Sequence, residues 1–105
     1  MEMIKKLFEM MEEELEGAEE YLKDSIKHMH MHPDVSRAFY EMSQDELKHA
    51  TMLRDIAIKV KTDEHNKNPD LHTGTAEMVG FMNERYAKKN HNLKLWQDEY
   101  KHMHA

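Results

Sequence analysis

Cysteine is missing from this chain altogether, which excludes disulfides, thiolate nucleophiles and cysteine-based zinc sites. Glycine and proline are scarce, with three and two in 105 residues, so little in the sequence forces turns or interrupts helices. No apolar run approaches the roughly 20 residues that span a bilayer. The N-terminal MEMIKKLFEMMEEE is too acidic and too interrupted to read as a signal peptide. No membrane partner is expected, and a cytoplasmic location is. Basic clusters are lacking as well: 21 Asp and Glu outnumber 15 Lys and Arg, for a net charge of −6. That balance argues against nucleic acid as a partner and in favour of cations.

What remains is a mixture of 34% charged and 39% hydrophobic residues, the composition of long, surface-exposed helices, and the expected fold class is all-α. The length suits one domain, residues 1–105. His32-Pro33-Asp34 punctuates it first, because proline cannot continue a helix and aspartate can cap the next one. Segment one is therefore expected over about Glu2 to Met29 and segment two over about Asp34 to Lys61, an antiparallel hairpin within residues 1–62. A polar stretch, KTDEHNKNPDLH, is expected as a linker over 61–72. A long third helix then follows over 73–104, starting at Asn68-Pro69-Asp70 or at Thr73 to Thr75.

Periodicity marks a seam in each segment. In segment one, Ile4, Phe8, Met11, Leu15, Ala18, Leu22, Ser25 and Met29 alternate spacings of four and three. Segment two gives Val35, Phe39, Met42, Glu46, His49, Leu53, Ile56 and Val60 on the same rule, and segment three gives Val79, Met82, Tyr86, Lys89, Leu93, Trp96, Tyr100 and Met103. Glu46 and His49 thus fall on consecutive positions of an expected core line. An unpaired carboxylate buried there costs several kcal/mol or more, so the pair needs each other, a partner charge or a metal.

Reflecting the hairpin about a turn near residue 31 puts Glu46 and His49 level with Glu13, Glu14, Leu15 and Glu16. Leu15 lies on the seam, so Glu14 flanks it and can reach inward, with Glu16 as the reserve. Tyr21, two turns along the same face, could donate a hydrogen bond nearby. Two carboxylates and one imidazole suit Fe(II), Mn(II) and Fe(III), with zinc a further possibility. A Glu facing a Glu-x-x-His is half of a four-helix di-iron carboxylate site. A two-fold axis would double it to four carboxylates and two histidines, so a homodimer or higher homo-oligomer is expected.

The stretch EELEGAEEY, Glu13 to Tyr21, followed by DELKHATML, Asp45 to Leu53, resembles the glutamate-rich first helix and the Glu-x-x-His second helix of ferritin-like proteins. It is most similar to the short encapsulated-ferritin type. The resemblance covers the first 62 residues and implies a helical hairpin that forms a four-helix-bundle-like site by dimerisation. It further implies Glu14, Glu46 and His49 as metal ligands and catalytic residues, a di-iron centre as cofactor, and oxidation of Fe(II) to Fe(III). The tail KHMHA does not resemble an encapsulin-targeting peptide, so no encapsulin shell is expected as a partner, and the third segment is longer than a bare hairpin needs.

Other readings stay open. Glu46 and His49 could form a structural contact that fixes register, and Glu14 could be one more solvated charge. Peroxide reduction of the rubrerythrin kind would ordinarily require an electron-transfer module. A non-catalytic alternative uses the alternating His28, His30 and His32 with their methionines to sequester metal, the soft thioethers suiting copper(I). Glu99 and His102 repeat the Glu-x-x-His spacing, but off the seam, and chance accounts for them.

Overall fold

The computed structural model describes residues 2–67 and 73–103. Three helices account for them: α1, Glu2–Lys27; α2, Pro33–Lys67; and α3, Thr73–Met103. Lysine, glutamate, leucine and methionine give α1 high intrinsic propensity, and it ends in backbone bonds of the last-turn type: His28 N–H to the Asp24 carbonyl (3.1 Å) and Met29 N–H to the Ile26 carbonyl (3.3 Å). Pro33 then occupies the first helical position of α2, where its missing N–H costs nothing, and Asp34 places a negative charge in the first turn. The helix continues through Lys67, six residues past its expected end at Lys61, because 61–67 contains neither glycine nor proline. α3 begins at Thr73. Residues 61–67 of the expected linker 61–72 are thus helix, while its remainder, with the alternative start at Asn68-Pro69-Asp70, and His104 lie outside the described residues.

The bundle measures 57 × 18 × 15 Å and runs up, down and up. α3 lies antiparallel to α2 and parallel to α1, as its cross-links show. Tyr86 OH meets Thr51 Oγ1 at 2.6 Å, Gln97 Nε2 donates to Ser43 Oγ at 3.0 Å, and Tyr100 OH meets Ser36 Oγ at 2.6 Å. Arg85 pairs with Glu12, and Lys89 Nζ with Glu19 Oε2 at 3.1 Å. Phe8 stacks on Phe81 with centroids 5.9 Å apart. The core is one cluster built around Ile4, Met11, Leu15, Leu22, Met82 and Leu93. Among the described residues, no helix is long and apolar enough to cross a membrane.

The buried line of α1 is Ile4, Leu7, Met11, Leu15, Ala18, Leu22 and Ser25, close to the expected seam. On α2 the buried line is instead Ser36, Ser43, Leu47, Ala50 and Ala57. All but Leu47 are small, and they let the two backbones approach closely enough for the Ser43 hydroxyl to donate to the Ala18 carbonyl at 2.6 Å. The expected seam of α2 is thereby rotated away from the core: Val35, Met42 and Ile56 are 43–45% exposed, and Glu46 is only half-buried. The large residues of α2 form an adjacent stripe, on the flank of the hairpin that α3 does not cover.

Candidate metal centre

Three side chains converge on that open flank. Glu14 projects from α1, and Glu46 and His49 stand one turn apart on α2. One ligand atom from each lies within 4.8 Å of the other two. His49 Nδ1 is 3.5 Å from Glu14 Oε2 and 4.0 Å from Glu46 Oε1. The hairpin turn sets this alignment, because helices running in opposite directions from residue 31 bring 14 level with 46 to 49. Glu14, expected by that reflection, is where the reflection put it. His49 is not buried as its seam position implied, since its side chain is 53% exposed. The exposure follows from the rotation of α2 about its own axis.

The electrostatics are those of two acids in one place. Oε2 of Glu14 is buried and has no hydrogen-bond partner, a state that costs free energy unless a proton or a cation joins it. The Glu46 carboxyl is pushed up from 4.5 to about 7, first by hydrogen bonding with Glu14, then by burial and by the charge of Glu14; His49 opposes the shift. A group that resists ionising because a second carboxylate faces it is one that a cation would relieve. The donor set fits such a cation: two hard carboxylates, one of them with an orphaned oxygen, and an imidazole with one nitrogen turned to both.

The other residues singled out by sequence fall elsewhere. Glu16 is exposed and lines the groove between α1 and α3 together with Glu12, Glu19 and Arg85, on the far flank from the cluster. Tyr21 follows the open flank toward the turn, its ring stacked on Phe39 at 6.1 Å. His28 stacks on Phe39 at 6.0 Å and tilts against His32 at 6.1 Å, while His30 is exposed. The three turn histidines do not converge as a second donor set: among the described residues the carboxylate–histidine group above is the one with three donors within reach. His102 Nδ1 bonds to the Asp98 carbonyl of its own helix at 2.7 Å. Sequence reasoning passed over Gly17, against which the Glu46 carboxylate lies; its signal was a glycine in the middle of a long, strongly helical segment.

Set against known protein families, curated proteins and solved structures, the chain has no significant match to any of them.

Proposed function

We propose that this chain is a ferritin-like, iron-binding protein that oxidises Fe(II) to Fe(III) at a di-iron centre shared between two copies of itself. The observation that carries this reading is the position of the donor cluster. Glu14, Glu46 and His49 stand at the middle of a stripe that includes Met3, Met10, Val35, Met42 and Ile56, all exposed. Exposed apolar side chains flanking polar donors support reading this flank as an interaction face. One chain brings two carboxylates and one imidazole, and a two-fold axis over the cluster would bring the same set again.

Fe(II) is the substrate in this reading, giving up electrons to dioxygen or peroxide. The chain's own part is geometric and electrostatic. Glu14 and Glu46 would favour the ferric product over the ferrous substrate, since two carboxylates attract a trivalent ion more strongly than a divalent one. Glu46, which lies against α1 while rooted on α2, and His49 beside it would hold the metal together with Glu14. Docking of the stripe against its copy would exclude water and strengthen each of these interactions. Manganese or zinc would fit the same donors.

The test combines assembly with stoichiometry. Sedimentation velocity of the full chain, with and without anaerobic Fe(II), should show a dimer or larger species strengthened by the metal, because binding only the assembled state shifts the equilibrium by mass action. Bound iron should approach about one per chain, the ratio a two-fold shared pair requires. A monomer that oxidises Fe(II) at full rate overturns the shared site.

A further inference from the structure

We infer that Gly17 is a positioning residue: the missing side chain on α1 forms a notch that seats the Glu46 carboxylate beside Glu14. An ideal Cβ built on Gly17 would lie 2.9 Å from Glu46 Oε2, 3.5 Å from its Cδ and 3.7 Å from its Cγ. The carboxylate therefore occupies the space that any other residue would fill. Nothing else in the structure calls for glycine at this position. It sits ten residues from the end of α1, and none of the described glycines has a positive φ. Glycine inside a helix is costly relative to alanine through lost backbone freedom, so its place here is accounted for by the space it leaves.

Spacing reinforces the assignment. Gly17 follows Glu14 by three residues and so lies on the same face of α1, one turn toward the hairpin end. Glu46 reaches across from α2 into the opening, and its carboxylate arrives within reach of both Glu14 and His49. Gly80 offers an internal contrast, since a Cβ there would meet nothing within 4 Å. Glu46 is a flexible side chain, and a methyl group at position 17 would push its carboxylate away from α1 rather than unseat the helix. The disturbance thus falls on the donor geometry and not on the fold. The functional consequence rests on the metal-site reading, although the seating of Glu46 does not.

The test is Gly17→Ala beside Gly80→Ala in the full chain, probed with Co(II) as a visible-spectrum stand-in and with anaerobic Fe(II). Gly17→Ala should melt no lower than wild type in chelator, yet bind Co(II) at least tenfold more weakly, with an altered absorption band. Gly80→Ala should leave both binding and spectrum unchanged. Glu46→Asp, which withdraws the carboxylate by one methylene, should cost less affinity in the Gly17→Ala background than in wild type, a rescue that a general effect on helix stability would not produce. Wild-type affinity and spectrum in Gly17→Ala overturn the inference. Should wild type itself bind neither metal, the functional proposal falls, and metal-free crystal structures judge the notch: a Glu46 carboxylate displaced from α1 in Gly17→Ala upholds it, and an unmoved one overturns it.

Discussion

The two flanks of the α1–α2 hairpin are built on opposite terms. On the flank covered by α3, polar groups find partners: Thr51 with Tyr86, Ser43 with Gln97, Ser36 with Tyr100, Glu12 with Arg85 and Glu19 with Lys89. On the open flank, Glu14 Oε2 is buried with no hydrogen bond and only the His49 imidazole near it, at 3.5 Å, Glu46 holds its proton to about 7, and methionine, valine and isoleucine face outward. The covered flank is largely satisfied within the chain, Asn90 Oδ1 on α3 being its buried exception. The open flank gathers two carboxylates and an imidazole that have chiefly each other for partners, and in the proposed reading the contrast separates residues that stabilise from residues that would hold metal.

The largest effect that would break this contrast is on the open flank. Glu46→Ala should abolish Fe(II) oxidation, followed by ferric absorbance in stopped flow, while the melting temperature in chelator stays level or rises as carboxylate repulsion is relieved. If Glu46 were instead a structural partner of His49, the same change would destabilise the metal-free fold by about 1–3 kcal/mol.

The covered flank should behave in the reverse manner. Leu93, 2% exposed on α3, should cost about 2–5 kcal/mol of stability in urea unfolding when changed to alanine. The folded variant should still bind Fe(II) at Glu14, Glu46 and His49, measured by anaerobic titration. Loss of binding in a folded Leu93→Ala protein would mean that the flanks are not separable.

The smallest effect sharpens the contrast through pH. Below about 4.5 the Glu46 carboxyl is protonated in both folded and unfolded chains and contributes nothing to the difference between them. Between 4.5 and about 7 the folded chain retains a proton that the unfolded chain has released, so its contribution to stability falls as pH rises, and the penalty is constant above that range. Metal-free wild type should therefore lose stability relative to Glu46→Gln as pH is raised from 4.5 to 8, in paired thermal melts. Metal affinity should move the other way and weaken on acidification through about 7, because the cation must displace that proton.

How much of this was legible in the sequence differs between helices. On α1, large apolar residues coincide with the buried line, and Ile4, Met11, Leu15, Ala18, Leu22 and Ser25 were all marked by spacing. On α2 the close approach to α1 selects small residues, and Ser36, Ser43, Ala50 and Ala57 carry no hydrophobic signal large enough to compete with Val35, Met42 and Ile56. A period read by side-chain size therefore settled on the neighbouring stripe, one residue away. Because Glu46 and His49 lie on that stripe, they were correctly grouped with each other and with Glu14, yet were expected deeper than they are. The cross-links of α3 were not legible, since pairing Tyr100 with Ser36 depends on how the third helix folds back across residues that carry no register signal.

Those cross-links have a mechanical consequence. Thr51–Tyr86, Ser43–Gln97 and Ser36–Tyr100 tie α3 to α2 at three heights. A slip of α3 by one turn, about 5.4 Å, would break all three together, so intermediate positions offer no partial reward. α3 acts as a splint with three pins, fixed along one side of the hairpin. With Arg85 and Lys89 also holding Glu12 and Glu19 of α1, a splinted hairpin cannot splay freely, and the gap between Glu14 and Glu46 on the other side is held from behind.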